Sequence, residues 1–221
     1  MINIITKKSK KILLLLGGKD TLLWRSTRKI YLKIKNHVRL LSKNSIFIEE
    51  GELDMCSLDN SEMILESIKL FAPISVLDVG CGTGKSLDIF LESGCDAFGI
   101  EGSAIAISKA NHPDKIMQFN LNNELNLNKK FDLAWSVEVA EHIHPKYVNK
   151  FLLSLINHSD RIIITAAPPG QGGEGHFNEQ PQSYWIHLFS QNNYTYDVNS
   201  SKSLRESGSY FSENVMVFYR S

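Results

Sequence analysis

Short apolar runs alternate with amphipathic segments through most of this 221-residue chain. Runs of about four to eight residues rich in Val, Ile and Phe are typical of strands, and the segments between them have helical spacing. The predicted strands are SVLDV, DAFGIE, KIMQFN, FDLAWSV, DRIIITAA, TYDV and NVMVFYR, and the predicted helices are SEMILESIKLFAP, KSLDIFLESG, SAIAISKAN, PKYVNKFLLSLINHS and QSYWIHLFSQNN. This alternation predicts an α/β fold with a seven-stranded, mostly parallel sheet and helices on both faces.

Basic residues are concentrated at the start of the chain. The first 45 positions have 12 lysines and arginines against one acidic residue, Asp20, whereas the remaining positions have 12 basic and 23 acidic residues. Apolar residues interleaved with basic ones favour one or two helices here. We therefore expect a basic, helical N-terminal segment at 1–55 and an α/β domain at 56–221. The segment could contact nucleic acid, a membrane surface or the acidic surface of its own domain.

The sequence predicts neither a membrane span nor a disulfide framework. The apolar run at 12–16 is shorter than the roughly 7–15 apolar residues in the middle of a secretory signal, and far shorter than the roughly 20 of a membrane-spanning helix. The cysteines Cys56, Cys81 and Cys95 are odd in number and lack CxxC spacing, which favours a reducing compartment. We expect a cytoplasmic protein whose membrane contact, if any, is peripheral. The sequence does not indicate an oligomeric state.

Three glycines follow the first predicted strand, in VLDVGCGTGKS at 76–86. Glycine allows a tight turn that brings backbone N–H groups against a ligand at the carboxyl end of a parallel strand. A phosphate-binding P-loop requires GxxxxGK[ST], but Val79 occupies the position of its first glycine. A dinucleotide site requires GxGxxG, whereas the spacing here is GxGxG. Asp78, at the end of the strand, suits a cationic ligand better than a pyrophosphate.

Two further polar side chains follow the next strands. Glu101 ends the second strand about 20 residues after the loop, where an acid can accept both hydroxyls of a ribose. Asn120 ends the third predicted strand, where an amide can meet the edge of an adenine. S-adenosylmethionine combines an ammonium, a sulfonium and an adenosine, so this order of residues favours it as the ligand.

The motifs VLDVGCGTG, GIEGS and FDLAWSVEVAEHI together resemble the class I S-adenosylmethionine-dependent methyltransferases over roughly residues 64–220. The resemblance implies a Rossmann-like fold, S-adenosylmethionine as cofactor and methyl transfer as the activity. It implies that the glycine loop holds the methionine end and that the end of the fourth strand faces the transferred methyl. The implied cofactor-binding residues are Asp78, Gly80, Cys81, Gly82, Gly84, Glu101, Gly102, Asn120, Leu121, Ser136, Val137 and Glu138. Asn120 replaces the family's usual acid, and its amide can still bond an adenine amine.

Acids and imidazoles follow the fourth predicted strand in SVEVAEHIHP. Such groups can act as a general base or bind a metal ion. The Glu-x-x-Glu-His pattern resembles the metal site of small-RNA 3′-terminal 2′-O-methyltransferases, and similar Glu-His pairs occur in quinone-biosynthesis O-methyltransferases. This resemblance implies a site for Mg²⁺ or Mn²⁺ formed by Glu138, Glu141, His142 and His176. Similar motifs also occur in methyltransferases without a metal, so a metal-free role stays open. We interpret His144 as a turn residue.

The segment APPGQGGEGHFNEQPQSYW follows the fifth predicted strand. Its glycines, prolines and polar residues are typical of a substrate lid or pocket wall. Imidazole is suited to proton removal near neutral pH, so His176, His142 and Glu141 are the predicted catalytic residues. The polar residues Asn178, Glu179 and Gln180 are candidates for binding a polyhydroxyl acceptor, whereas Tyr184 and Trp185 either stack on a ring or belong to the core.

The leading functional hypothesis is O-methylation of a small polar acceptor, such as a sugar or a hydroxylated metabolite. An oxygen acceptor needs a base more than an amine does, and the acid–histidine cluster supplies one. One alternative is a metal-dependent RNA 2′-O-methyltransferase, indicated by the basic N-terminal segment but disfavoured by the acidic domain. A second alternative is a non-catalytic binding protein with a methyltransferase fold.

Overall fold

The computed structural model describes residues 30–32, 34, 36 and 59–221. Most of the predicted basic segment 1–55, and the predicted domain start at residue 56, lie outside the described residues. The five described positions in the segment are helical. Leu32 is buried, whereas Ile30 and Ile34 are exposed. Asn36 is four positions after Leu32 and therefore lies on the same helix face.

The described strands form one seven-stranded sheet in the order β3-β2-β1-β4-β5-β7-β6. The strands are β1 Ser75–Val79, β2 Asp96–Glu101, β3 Ile116–Gln118, β4 Leu133–Ser136, β5 Arg161–Ile164, β6 Tyr194–Tyr196 and β7 Met216–Arg220. Pairing is parallel from β3 across to β5, and β7 runs antiparallel to both of its neighbours. The predicted seven-stranded, mostly parallel sheet is confirmed.

The helices connect these strands. They are α1 Ser61–Phe71, α2 Lys85–Glu92, α3 Ala104–Ser108, α4 Val148–Ile156, α5 Gln182–Ser190 and α6 Val198–Arg205. Local chemistry fixes several of their ends. The α1 helix stops at Ala72, which is left-handed and precedes a proline, and α3 begins where the Ser103 hydroxyl accepts the N–H of Ala106.

The predicted strand TYDV is only partly correct. The strand β6 ends at Tyr196, and α6 begins two residues later. Asp197 caps this helix, because its side chain accepts the N–H of Ser200 and its other oxygen accepts the Ser200 hydroxyl. The last two residues of the predicted strand are therefore the cap and the first residue of a helix that the apolar pattern does not predict.

Alternate strand residues face two separate hydrophobic clusters. One cluster joins the sheet to α4 and α5 through Leu77, Val79, Ala134, Ile162, Ile164, Phe151, Leu155, Trp185 and Phe189. The other joins it to α1, α2 and α6 through Val76, Leu133, Trp135, Ile163, Met63, Ile64, Leu87, Phe90 and Leu204. The predicted cover of helices on both faces is confirmed. Because β1 to β5 are mutually parallel, the loops that follow them meet at one edge of the sheet.

Candidate active site

The loop after β1 depends on its glycines. Gly80, Gly82 and Gly84 have φ of 80°, 57° and 79°, in the left-handed region that side chains disfavour. A Cβ on Gly80 would also overlap the side chain of Val139, which follows β4. The glycine at this position therefore allows the loop to turn and to lie directly against the segment after β4.

The backbone N–H groups of this loop bond within the protein. Gly80 and Cys81 donate to the carbonyl of Ile100, at 2.8 and 3.1 Å, and Gly84 donates to the carbonyl of Cys81. Gly82 donates to the Glu101 carboxylate at 2.9 Å. The sequence predicts that these groups face a ligand, but they instead hold the loop against the end of β2. This arrangement is not that of a phosphate cradle.

Two buried carboxyl groups flank the loop. Asp78 is 2% exposed, and its Oδ2 has no hydrogen-bond partner among the described residues. Burial, together with the nearby charge of Glu101, raises the pKa of Asp78 to about 8. The Glu101 carboxylate accepts the N–H groups of Gly82 and Ser103. Burial raises the pKa of Glu101, and these hydrogen bonds partly offset the rise.

The other predicted cofactor residues also lie at this edge of the sheet. Asn120 follows the end of β3, and its side-chain Oδ1 accepts the N–H of Asn122. Ser136, at the end of β4, donates its hydroxyl to the carbonyl of Val79, and its backbone carbonyl accepts the N–H of Thr165. These two bonds connect the end of β4 to the ends of β1 and β5. Leu121 is buried, and Gly102 and Val137 are partly buried. Cofactor contact by these residues stays a prediction.

Three of the predicted metal or catalytic residues converge after β4 and β5. Glu141, His142 and His176 each offer one ligand atom, and these atoms lie within 4.8 Å of one another. The two imidazole rings meet edge to face, with centroids 4.9 Å apart. Glu141 is fully buried, and neither carboxylate oxygen has a hydrogen-bond partner in the described part of the chain. A buried carboxylate without a partner is costly unless a cation joins it.

Hydrogen bonds define the tautomers of both imidazoles. His142 Nδ1 lies 3.1 Å from the carbonyl oxygen of Gly175, and His176 Nδ1 lies 3.1 Å from Oε1 of Glu179. Both partners are acceptors, so each Nδ1 carries a proton, and Nε2 is the nitrogen on each ring that can bind a ligand. This is the arrangement of metal-binding histidines oriented by outer acceptors.

Glu138, the fourth predicted ligand, lies outside this three-residue cluster. Its carboxylate accepts the Thr165 hydroxyl at 2.8 Å and the Gln171 amide at 3.3 Å. Glu138 has φ of 54°, a left-handed conformation, and its N–H donates to the Thr165 hydroxyl. Burial and the charge of Glu138 raise the pKa of Glu141 well above its usual range. Thr165 and Gln171 were not singled out from the sequence.

The loop after β5 is organised by its own polar residues. The Glu179 carboxylate accepts the N–H groups of Gly170 and Gly172, at 2.8 and 2.6 Å, in addition to His176. Asn178 is 2% exposed, donates its N–H to the Glu141 carbonyl and accepts the amide of Gln180. The side chains predicted to bind the acceptor therefore bond mainly within the loop.

Burial and hydrogen bonds place the neighbouring aromatic and turn residues. Trp185 is 1% exposed and belongs to the core, whereas Tyr184 is partly buried against it. His144 precedes a short 3₁₀ helix and accepts the N–H of Lys146, as expected of a turn residue.

Among the described residues, no helix combines the length and the apolar character needed to cross a membrane.

Part of the chain matches a family of known proteins. Residues 58–161 match a family model described as a methyltransferase domain. A ubiquinone biosynthesis O-methyltransferase of Rhodopseudomonas palustris (strain BisB5) is 29% identical over 85 residues, which cover 36% of this chain. The match spans 34% of that protein, about a third of its length.

Two solved structures share the fold. The sugar N-methyltransferase of Streptoalloteichus sp ATCC 53650 matches with a TM-score of 0.59 at 14% identity, and the match covers 75% of this chain and 87% of that protein. The plantazolicin methyltransferase BpumL in complex with SAH has a TM-score of 0.53 at 15% identity and covers 99% of this chain and 100% of its own. The family match supports an S-adenosylmethionine-dependent methyltransferase, and the two solved structures show that this chain shares their fold.

Proposed function

We propose that this protein transfers the methyl group of S-adenosylmethionine to a hydroxyl oxygen of a small polar acceptor. The observation that carries the proposal is the cluster of Glu141, His142 and His176. It combines a buried carboxylate with two imidazoles that carry a proton on Nδ1. One ligand atom from each of the three residues lies within 4.8 Å of the other two. The cluster lies at the same edge of the sheet as the glycine loop after β1.

Two buried carboxyl groups support the cofactor part of the proposal. Asp78 Oδ2, which lacks a hydrogen-bond partner among the described residues, suits the ammonium of the cofactor's methionine part. Glu101 is held by two N–H groups, and a carboxylate has about four acceptor positions in all. The remaining positions can accept ribose hydroxyls, which is the role that the family resemblance implies.

The Glu–His cluster fits a divalent cation. Two imidazole nitrogens and a carboxylate suit Mn²⁺ better than Mg²⁺, which prefers oxygen ligands and water. Glu141 and both Nε2 atoms would bind the ion, while Gly175 and Glu179 keep the imidazole protons on Nδ1. A bound ion would polarise the acceptor hydroxyl and favour its deprotonated form.

The chain's own residues align the reaction. Methyl transfer is an in-line displacement: the oxygen–carbon bond forms as the sulfur–carbon bond breaks, and S-adenosylhomocysteine leaves with the electron pair. Alignment of donor and acceptor therefore supplies much of the rate. The close contact of Gly80 with Val139 brings the glycine loop against the segment that carries Glu141 and His142.

The proposal is tested by following S-adenosylhomocysteine formation with panels of hydroxylated and amine acceptors. Each panel is run in EDTA, and then with Mn²⁺ or Mg²⁺ restored. We expect turnover with a hydroxylated acceptor that EDTA abolishes and Mn²⁺ restores. Turnover confined to amines would contradict the oxygen acceptor, and turnover insensitive to EDTA would contradict the metal.

One surface feature favours RNA as a second candidate acceptor. Lys146 and Lys150 lie over the ring of Tyr147, with Nζ 4.6 and 5.8 Å from its centroid. This basic and aromatic group follows the Glu–His cluster closely in the chain, and such groups bind single-stranded nucleic acid by stacking and charge. An RNA acceptor predicts RNA binding that weakens steeply with salt and is weaker in Tyr147→Ala. Salt-insensitive binding would contradict it.

We predict that Gly173→Ala lowers turnover by displacing His176, without affecting cofactor binding. Gly173 is not in the left-handed region, but a Cβ there would overlap the His176 ring and displace it. Loss of an oriented catalytic group costs roughly 10²-fold or more in turnover. We expect this loss in steady-state assays, with affinity for S-adenosylhomocysteine unchanged. The control is Gly172→Ala, which strains the backbone at φ 72° but adds a Cβ with nothing within 4 Å.

Cofactor affinity is predicted to rise with pH up to about pH 8. Asp78, with a pKa of about 8, is neutral at lower pH in the unliganded protein, whereas a bound ammonium favours its charged form. Binding then releases a proton, so the dissociation constant should fall by up to about tenfold per pH unit below 8. Calorimetry between pH 6 and 9 measures this slope. Asp78→Asn should flatten it, and an equal slope in both proteins would contradict the assignment.

A further inference from the structure

We infer that Asn36, in the helical N-terminal segment, positions the loop after β5, which carries the proposed metal ligand His176. The inference rests on the proposed function of the Glu141–His142–His176 cluster. Asn36 is separated by more than 130 residues in sequence from every loop residue that its side chain contacts.

A single amide holds three backbone groups of the loop. Asn36 Nδ2 donates to the carbonyl oxygens of Gly173 and His176, at 3.0 and 3.2 Å. Asn36 Oδ1 accepts the N–H of Gly175 at 2.8 Å. Because two partners are acceptors and the third is a donor, the orientation of the amide is defined by its partners.

These three groups belong to the residues that orient both imidazoles. The Gly175 carbonyl accepts the Nδ1 proton of His142, and His176 is itself a member of the cluster. The His176 ring lies directly over Gly173. Asn36 therefore fixes the backbone on which one imidazole is mounted and the carbonyl that orients the other.

The helix that carries Asn36 buries another residue on the same face. Leu32, one turn earlier, is 7% exposed, whereas Ile34 is 48% exposed. Asn36 lies on this buried face, and its amide reaches the loop from there. Glu179 holds the loop from within, through Gly170, Gly172 and His176. The loop is thus held from two sides, and Asn36 supplies the contact that comes from outside it.

This role predicts a specific effect on metal binding. Loss of an outer group that orients metal ligands typically weakens metal binding about 10–100-fold. We expect that loss in Asn36→Ala, with affinity for S-adenosylhomocysteine changed less than about threefold. Asn36→Asp keeps an acceptor for the Gly175 N–H but turns a negative charge toward two carbonyl oxygens, so it should also weaken metal binding. Ile34→Ala, on the exposed face of the same helix, is the matched control and should change neither affinity.

The experiment titrates Mn²⁺ into the full chain by electron paramagnetic resonance and measures hydrogen exchange at the Gly175 amide. We expect weaker Mn²⁺ binding and faster exchange in Asn36→Ala, and neither in Ile34→Ala. Wild-type Mn²⁺ affinity retained within twofold in Asn36→Ala would overturn the positioning role. If the wild-type chain binds no Mn²⁺, the proposed metal centre fails, and exchange alone then decides: unchanged exchange in Asn36→Ala overturns the contact as well.

Discussion

Replacing Glu141 by glutamine should nearly abolish methyl transfer and at the same time raise the stability of the unliganded protein. The carboxylate is a proposed ligand or base, and removing such a group costs on the order of 10³-fold in turnover. The stability change has the opposite sign because the carboxylate is buried beside the charge of Glu138, and both effects raise its pKa and disfavour its charged form. A glutamine amide could donate to Glu138 instead.

The pH dependence of this stability gain follows from the raised pKa of Glu141. A carboxyl whose pKa is raised by folding does not destabilise the protein below the ordinary value of 4.5, but it does so increasingly as the pH rises above that value. The gain in Glu141→Gln should therefore be larger at pH 8 than at pH 5. A gain of about 1 kcal/mol would raise the melting temperature by roughly 2–4 °C.

Thermal unfolding and turnover of Glu141→Gln are measured beside Glu124→Gln, which changes an exposed glutamate. The control should match the wild-type protein in both assays. Full turnover in Glu141→Gln would remove Glu141 from the reaction. A lower melting temperature would show that the carboxylate is already stabilised in the unliganded fold.

Replacing Glu101 by alanine should weaken cofactor binding by about 100-fold. Hydrogen bonds to a charged acceptor contribute about 1.5–3 kcal/mol each, and the loss of two ribose contacts therefore costs roughly 3 kcal/mol. Glu101 is suited to this role because the N–H groups of Gly82 and Ser103 hold its two oxygens, at 2.9 and 2.7 Å. Glu101→Gln retains one acceptor oxygen and should lose less affinity.

A ribose analogue separates direct contact from general damage to the loop. Calorimetry with S-adenosylhomocysteine and its 2′-deoxy form gives the effect of one hydroxyl in each protein. That effect should be large in the wild-type chain and small in Glu101→Ala, because the acceptor is absent there. An equal effect in both proteins would contradict the ribose assignment. Affinity within threefold of wild type in Glu101→Ala would contradict the cofactor site as a whole.

The central strands, and the site residues that follow each of them, were predictable from local sequence. Buried parallel strands need continuous apolar residues, so Ser75–Val79 and Arg161–Ile164 stand out from the segments around them. Parallel pairing then brings the ends of β1, β2 and β4 to one edge, which places Asp78, Glu101 and Glu141 there. The cluster of Glu141, His142 and His176 was predicted as part of a larger metal set, and the structure brings these three together.

Other features depend on contacts that a single sequence does not reveal. The α6 helix, VNSSKSLR, is mostly polar and shows little apolar periodicity; Asp197 before it was the available signal. The partners of the glycine-loop N–H groups depend on the position of Ile100 in the neighbouring strand. The contacts of Asn36 cross more than 130 residues. Pairings of this kind are set by tertiary packing, not by local propensity.

The most direct measurement of the central claim is Mn²⁺ binding to the full chain saturated with S-adenosylhomocysteine, followed by electron paramagnetic resonance. The Glu141–His142–His176 centre predicts one bound ion per chain in the wild-type protein and its loss in the double variant His142→Ala/His176→Ala. The double variant should retain affinity for S-adenosylhomocysteine. Absence of a bound ion in the wild-type chain, or equal Mn²⁺ binding in the double variant, would contradict the proposed centre.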